Sequence, residues 1–332
     1  LSKIKVAING FGRIGRTLFR IIHANERFEV VCIRDLSDVK TMAHLLKYDS
    51  IHGQFPGNIE ALDHAISVNG FQYPFVSLSN QKELDWSAFS VDVVVECTGT
   101  MKNASDLEWH IQHGAKKVLL SAPSSGSDVP MVVPGVNDNI LIGNERYISC
   151  ASCTTNSAAP MIQLLDELCG IESCYITTVH SYTGDQRLHD APHNDLRRAR
   201  AAAQSIVPTT TGAAKALSRI FPHLSDRMGG CGIRVPVADG SLTDITCMVR
   251  ELPNVRIVNE YFAAAASGRM KGILQYTEDS IVSVDVINNA HSCLFDAQLT
   301  SVVGGMVKVV GWYDNEVGYS HRLVDLLLKM QS

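Results

Sequence analysis

The sequence is defined first by what it does not hold. It has no uninterrupted apolar run of ~18 residues, the length a helix needs to cross a bilayer, and its opening LSKIKVAING enters strand-like sequence without the apolar core of a secretory signal. A chain that is neither exported nor membrane-spanning is expected. There is no surplus of positive charge either: 29 Lys and Arg stand against 34 Asp and Glu, for a net charge of -5, so nothing pulls the protein as a whole toward nucleic acid or an anionic membrane. A paired cysteine framework is also missing. Nine cysteines, an odd number, are scattered through apolar surroundings in a chain of 332 residues, which fits a reducing cytoplasm better than a disulfide scaffold. No internal repeat and no low-complexity linker is visible.

What is present fits a globular protein, with 45% hydrophobic and 19% charged residues. The length exceeds one comfortable core, so two domains are expected. The first half alternates strand and helix. Ile4, Val6 and Ile8 alternate as in a strand, and Gly10, Gly12 and Gly15 follow in G-x-G-x-x-G spacing. Ile14, Leu18, Ile21 and Ile22 then recur at helical spacing, and the next strand-like run, EVVCIRD, ends in Asp35, 20 positions beyond Gly15. Together these are the parts of a dinucleotide site: a tight turn at Gly10, backbone approach to a pyrophosphate at Gly12, close packing at Gly15, and an acid for the adenosine ribose. The apolar runs VDVVVECTGT and KKVLLSAPS suit strands buried on both faces of a parallel sheet, which makes Thr98, Gly99 and Ser121, at their carboxyl ends, candidate cofactor contacts.

After about residue 150 the pattern changes. CYITTVHS, GCGIRVPVADGSLTDITCMVRE and GGMVKVVGWYD alternate apolar and polar residues, as in an antiparallel sheet with one face covered by helices. Within CASCTTNSAAP, Cys153 stands near the start of a helix marked by Met161, Ile162, Leu164, Leu165 and Leu168 and ended near Gly170, with Ser152, Thr154 and Thr155 as capping candidates. Pro160 leaves the helix start open. A helix N-terminus favours a thiolate, and His180, at the end of a strand 27 residues on, is the candidate base. By spacing alone, a buried cysteine and a distant histidine are more often packing residues.

The motifs SCTTN, TTVHSYT, TTTGAAKA, IRVP and WYDNEVGYS, with INGFGRIGR, occur in an order that resembles phosphorylating glyceraldehyde-3-phosphate dehydrogenases from about Lys3 to Asp325. The resemblance implies NAD as cofactor, glyceraldehyde 3-phosphate and inorganic phosphate as substrates, and a homotetramer. It implies a Rossmann-type doubly wound, mostly parallel sheet domain (1–151 with a C-terminal helix, 316–332) and an α+β catalytic domain with a mostly antiparallel sheet (152–315). It assigns Cys153 as nucleophile and His180 as base. Thr183 and Arg234 fall on the site for the substrate's phosphate, with Asp185 nearby and Arg198 on a substrate-binding arginine. Ser152, Thr154, Thr211 and Gly212 fall on the inorganic phosphate site. Arg13 and Ile14 join the glycines in the cofactor turn, and Asn315, with Tyr319 close by, matches the residue that bonds the nicotinamide amide. The arginine-containing stretch from Arg187 to Ala203 resembles a loop that packs on a neighbouring subunit, so it is not taken as a nucleic-acid patch.

The chain departs from the family pattern in places. Cys150 replaces a usual Asn, creating a C-x-x-C pair with Cys153; a redox dithiol is the functional reading and a small buried replacement the plainer one. No second ligand pair accompanies it, so no metal is expected. Arg34 stands where an Asn commonly precedes the ribose-binding acid, Ser79 replaces an arginine near the adenine, Ser157 stands in for a second cysteine, and PVADGS replaces PTPNVS. Two alternatives stay open: an erythrose-4-phosphate dehydrogenase, and a non-catalytic NAD-binding redox sensor.

Overall fold

The computed structural model describes residues 2–80 and 83–331. The chain divides into two compact units, Leu1–Val132 with Asn139–Ala151 and Ser320–Ser332, and Val133–Asp138 with Ser152–Tyr319. Two boundaries differ from those expected. Residues 133–138 cluster with the second unit, and the C-terminal segment joins the first unit from Ser320 rather than from 316.

In the first unit the chain runs β1 (Ile4–Asn9), α1 (Arg13–Ile22), β2 (Phe28–Asp35), α2 (Val39–Lys47), β3 (Ile59–Ala61), β4 (Ala65–Val68), β5 (Phe71–Ser77), β6 (Val93–Glu96), α3 (Ala104–Gln112), β7 (Lys117–Leu120) and β8 (Tyr147–Ser149). The strands form one sheet in the order β3-β4-β5-β2-β1-β6-β7-β8. From β5 to β8 all neighbours are parallel, and β3 and β4 extend the edge as antiparallel strands. Central strands of this kind are buried on both faces, which is why β6 is apolar without alternation: Val93, Val94 and Val95 are all fully buried. This is the doubly wound architecture expected, and it gathers the carboxyl ends of β1, β2 and β6 at one edge.

A polar network lies under that edge. Trp86 Nε1 donates to His110 Nδ1 at 3.0 Å, which leaves the ring hydrogen on Nε2, 3.1 Å from Glu96 Oε2. The Thr98 amide and hydroxyl both donate to Glu96 Oε1. Trp86, His110 and Glu96 are fully buried, so each polar group must find its partner inside the protein, and the network holds the turn after β6.

The second unit contains α4 (Cys153–Cys169), β9 (Ile171–Ser181), β10 (Val207–Thr209), α5 (Ala213–Ile220), β11 (Met228–Val235), β12 (Ser241–Val249), α6 (Val255–Ser267), β13 (Leu274–Thr277), β14 (Cys293–Asp296), β15 (Ser301–Val303) and β16 (Met306–Tyr313). The closing helix α7 spans Val317–Lys329. The sheet order is β10-β11-β9-β12-β16-β14-β13, with β15 beside β16. Only β11–β9 and β13–β14 are parallel. Helix α4 comes close to the sheet: a Cβ on Gly311 of β16 would lie 2.9 Å from Met161 Sδ and 2.3 Å from Cys293 Sγ, so glycine is required for that approach. Register does the rest. His180 pairs with Arg234 across β9 and β11, and Ser241 pairs with Tyr313 across β12 and β16, so functional groups distant in sequence share one end of the sheet.

Candidate active site

The cradle in the first unit is made largely of backbone. Gly10 has φ +97°, and a Cβ there would lie 2.8 Å from Thr98 N; a Cβ on Gly15 would lie 2.2 Å from Gly10 O. Both glycines are therefore required by the protein itself. Nothing lies within 4 Å of the place a Gly12 Cβ would take, so the space beside that backbone is open to a ligand. Gly12 caps α1 without any side-chain hydrogen bond, leaving the first N–H groups of the helix directed at the opening, as a pyrophosphate needs. The cleft holds about 460 Å³ and is lined by Gly10, Gly12, Arg34, Asp35, Ser79 and Thr98 among others. These features fit a dinucleotide.

Asp35 does more than the sequence implies. Its Oδ2 accepts the Phe11 amide at 2.7 Å and its Oδ1 the Ser37 amide at 3.0 Å, so the acid at the cleft wall also fastens the glycine turn. Arg34 is buried and sends Nη2 to the Leu78 carbonyl. Arg13 pairs with Asp49 at 2.7 Å, and Ile14 is half-buried in the first turn of α1. Gly99 has φ +71°, and the Ser121 hydroxyl donates to the Glu96 carbonyl.

In the second unit Ser152 caps α4, accepting from the Thr155 amide at 3.1 Å, and Cys153 is the first helical residue. Pro160 lies inside the helix rather than at its start. Cys153 Sγ is 3.5 Å from His180 Nε2, within the reach of a sulfur hydrogen bond. On the other side of the ring, His180 Nδ1 is 2.8 Å from the Ser181 carbonyl and 2.7 Å from Arg234 Nη1, and Arg234 also donates to the Ser181 carbonyl at 3.0 Å. A hydrogen on Nδ1 would be accepted by Ser181 and leave Nε2 free to take the thiol proton. A bare Nδ1 would accept from Arg234 and turn an Nε2 hydrogen toward sulfur.

The charge state differs from the thiolate that the helix N-terminus leads one to expect. Burial pushes the Cys153 thiol up, against the opposing pull of Arg234. Burial, and after it the Arg234 cation, pushes the His180 imidazole down to about 3. Both shifts favour the uncharged form of each group, because burial acts against either charge.

The expected anion contacts are hydroxyls and arginines in the same unit. Thr154 Oγ1 is 2.9 Å from the Tyr313 hydroxyl, itself 3.0 Å from Thr178 Oγ1. Thr211 accepts the Ala213 amide at the start of α5, whose N-cap Gly212 makes no side-chain bond. The Thr183 amide donates to Gln186 Oε1 at 3.3 Å. Arg198 is engaged by Asp185 at 2.6 Å and by Thr209 at 3.0 Å, so an incoming anion would share it with that carboxylate.

Asn315 Oδ1 accepts from Ser181 Oγ at 2.8 Å and from Ser241 Oγ at 2.7 Å, and Tyr319 is buried. The two serines, Tyr313 and the Glu96–His110 pair are not among the residues singled out from the sequence. Ser181 adjoins His180, but a hydroxyl residue in a strand carries no pattern that points to a role. Asp239, in the unusual PVADGS turn, is also buried; desolvation, with Asp314 and Glu316 nearby, pushes its carboxyl up to about 8.

One unit built to cradle a dinucleotide and another that sets a thiol against an imidazole define the class as a dinucleotide-dependent dehydrogenase. Comparison with known proteins narrows it. Residues 4–104 match the family described as glyceraldehyde 3-phosphate dehydrogenase, NAD binding domain, and residues 152–315 match the corresponding C-terminal domain. The chain is 51% identical to the glyceraldehyde-3-phosphate dehydrogenase of Thermotoga maritima, covering 98% of this chain and 99% of that protein. It is 49% identical to glyceraldehyde-3-phosphate dehydrogenase 2 of Streptomyces arenae, covering 97% of each, and 46% identical to glyceraldehyde-3-phosphate dehydrogenase 1 of Bacillus cereus, covering 99% and 98%. The chain belongs to the glyceraldehyde-3-phosphate dehydrogenase family. These relatives do not favour the erythrose-4-phosphate or the non-catalytic alternative. Among the described residues no helix is long and apolar enough to cross a membrane.

Proposed function

We propose that this chain catalyses the NAD-dependent oxidative phosphorylation of D-glyceraldehyde 3-phosphate to 1,3-bisphosphoglycerate. The observation that carries the proposal is the 3.5 Å approach of Cys153 Sγ to His180 Nε2 at the start of α4.

His180 Nε2 takes the thiol proton as Sγ bonds to the aldehyde carbon, and the Cys153 amide supports the oxygen that gains charge. The proton passes on to that oxygen, giving a hemithioacetal. NAD, when bound, supplies the acceptor for the hydride that the hemithioacetal carbon must lose. His180 takes the hydroxyl proton back, and a thioester remains on Cys153. An oxygen of inorganic phosphate then adds to the thioester carbon, the carbon–sulfur bond breaks with its electron pair going to Sγ, which takes the proton back from His180, and the acyl phosphate departs.

The substrate's phosphate is assigned to Thr183 and Arg234 with Arg198, and inorganic phosphate to Ser152, Thr154, Thr211 and Gly212; arginines and oriented hydroxyls suit dianions. A dianion beside Arg234 would offset the cation that opposes an imidazolium at His180, so loading of substrate and activation of the base are linked. Gly10, Gly12, Arg13, Ile14, Gly15, Asp35, Thr98, Gly99 and Ser121 hold the cofactor, with Asn315 and Tyr319 on its nicotinamide side. By the family pattern the NAD-binding domain is assigned to 1–151 with 316–332 and the catalytic domain to 152–315, although 133–138 and 316–319 cluster with the second compact unit. A homotetramer is supported by the exposed Leu188, Leu196 and Ile206 of the long loop before β10, and a cytoplasmic location by nine free thiols.

The test is Cys153→Ser assayed with glyceraldehyde 3-phosphate and NAD, with and without phosphate. Wild type should form acyl phosphate only when phosphate is present, and the variant should form none while still binding NAD. Full activity in the variant would sink the mechanism.

A further inference from the structure

We propose that Ser181 and Ser241 are positioning residues that fix the direction of the Asn315 side-chain amide, and through it the face of the nicotinamide ring offered to the reacting carbon. This rests on the reading of Asn315 as the nicotinamide contact. Both serines are fully buried, Ser181 at the end of β9 and Ser241 at the start of β12. Their hydroxyls converge on one atom, Asn315 Oδ1, at 2.8 and 2.7 Å. Ser241 Oγ is itself held by the Ser181 amide at 3.1 Å, so the three residues form one closed unit.

Two donors on one carbonyl oxygen decide which way the amide points. Were the Asn315 amide turned over, its NH₂ would face both serines and their hydroxyl hydrogens would lose their acceptor. In a dry site that disfavours the turned form by about tenfold or more. The observed orientation commits Oδ1 to the serines. Nδ2 is left with no acceptor among the described residues, although Asn315 is only 6% exposed. A nearly buried NH₂ group with its direction fixed selects a carbonyl oxygen. A ring bound by the wrong face would carry its carboxamide to the opposite edge, and the Asn315 NH₂ would lose the carbonyl oxygen it is set to meet. The serines thus convert a flexible amide into a one-way donor.

Ser181 has a second attachment. Its carbonyl oxygen accepts from Arg234 and lies 2.8 Å from His180 Nδ1. The residue whose hydroxyl steers Asn315 therefore has its main chain on the far side of the base, so the amide and the imidazole are referred to the same backbone position.

The experiment compares full-length wild type with Ser181→Ala, Ser241→Ala, the double serine variant, Asn315→Ala and the triple variant, each first shown by thermal melting to be folded. Three quantities are measured: the NAD dissociation constant by calorimetry, KM for NAD and for the aldehyde, and the face of the reduced nicotinamide that receives deuterium from glyceraldehyde 3-phosphate labelled at C1. Each single serine change should weaken NAD about three- to tenfold while leaving the aldehyde KM within about twofold. The double serine variant should approach Asn315→Ala, place measurable label on the second face where wild type uses one, and add nothing further in the triple variant. Normal NAD affinity and single-face labelling in the double variant, beside a strongly impaired Asn315→Ala, would overturn the positioning role and leave the Asn315 assignment standing. A parallel rise in both KM values with labelling unchanged would reduce the serines to general support and also overturn it. An Asn315→Ala enzyme indistinguishable from wild type would overturn the assignment beneath the proposal.

Discussion

The two units prepare for their ligands by different physical means. In the first, recognition is mostly main chain: a helix whose opening N–H groups carry no side-chain cap, and glycines where a Cβ would collide with backbone. In the second, it is side chain upon side chain: Cys153 on His180, His180 beside Arg234, Thr154 on Tyr313, Asn315 on two serines. A main-chain cradle tolerates changes in chemistry but not in shape. A side-chain constellation does the reverse, so deleting the thiol or the imidazole there should cost catalysis while cofactor binding to the cradle survives, and only the Asn315 group should reach the cofactor.

The sharpest way to break that contrast is His180→Asn. Loss of the base should lower kcat/KM for the aldehyde by ~10²–10⁴ and slow alkylation of Cys153 near neutral pH, with the NAD dissociation constant little changed. An unchanged alkylation rate would separate the thiol from the imidazole. The same variant has a stability signature. His180 titrates at about 3 in the folded protein against an ordinary 6.5, so between those values the unfolded chain binds a proton that the folded chain does not. Stability should therefore fall as pH drops from 6.5 toward 3, and His180→Asn should flatten that slope by about one proton.

A smaller effect is expected at the cradle wall. Asp35 keeps a carboxylate at the cleft while fastening the Phe11 amide, which disfavours the extra phosphate of NADP. Arg34 lines the same cleft and contributes an opposing charge. NAD should be moderately preferred in kcat/KM with detectable NADP use, and Arg34→Asn should lower NADP use by about two- to fivefold. Equal or better NADP efficiency in wild type would refute this account of Asp35.

Asp239 offers a subtler comparison, because it sets a buried carboxyl beside Asp314 and Glu316, with the Gly240 amide donating to its Oδ1 at 2.9 Å. Its carboxyl titrates at about 8 in the folded chain against 3.8 ordinarily. The folded state holds a proton there that the unfolded state gives up, so stability drains away as pH rises from about 4 to 8. Asp239→Asn, the family's usual residue, should melt at about 2–5 °C higher at pH 8, with the advantage shrinking toward pH 4. The neighbouring family residue cannot be restored in the same way. Gly240 has φ +83°, and a Cβ there would lie 2.1 Å from the Ser283 carbonyl. A pH-independent gain in Asp239→Asn would show that packing rather than titration sets the difference.

The same contrast explains what the sequence could reveal. The cradle is local: strand, glycine spacing, helix and Asp35 lie within about one βαβ stretch, and each member has a steric or hydrogen-bonding reason to occupy its position. The catalytic constellation is not local. Cys153, His180, Arg234 and Asn315 come from α4, β9, β11 and the turn after β16, and only strand register brings them together. Resemblance named them, while spacing alone left Cys153 and His180 as ordinary core candidates. Ser181 and Ser241 stayed invisible because a hydroxyl inside a strand looks the same whether it orients a ligand contact or fills a gap. The opposed shifts of Cys153 and His180 were equally out of reach, since they depend first on burial, which no spacing records.

The smallest effect is expected at Cys150, where the contrast between the units meets the C-x-x-C question. Cys150 is fully buried in the first unit, and its amide is bonded to the Leu120 carbonyl; Cys153 belongs to the second and is partly accessible, and both are free thiols. A resolving thiol must reach an oxidised partner, and a completely buried sulfur is poorly placed to do so. Acyl transfer asks nothing of Cys150. Cys150→Asn should therefore keep aldehyde oxidation within about twofold of wild type per folded molecule. After mild peroxide and a dithiol reductant, variant and wild type should recover the same fraction of activity. If wild type recovers while the variant drifts to irreversible sulfinic acid, Cys150 is a resolving thiol and the pair has a redox role. If basal activity itself collapses in a variant that still melts normally, the assignment of all thiol chemistry to Cys153 is wrong, and the boundary between the two units does not separate structural sulfur from catalytic sulfur.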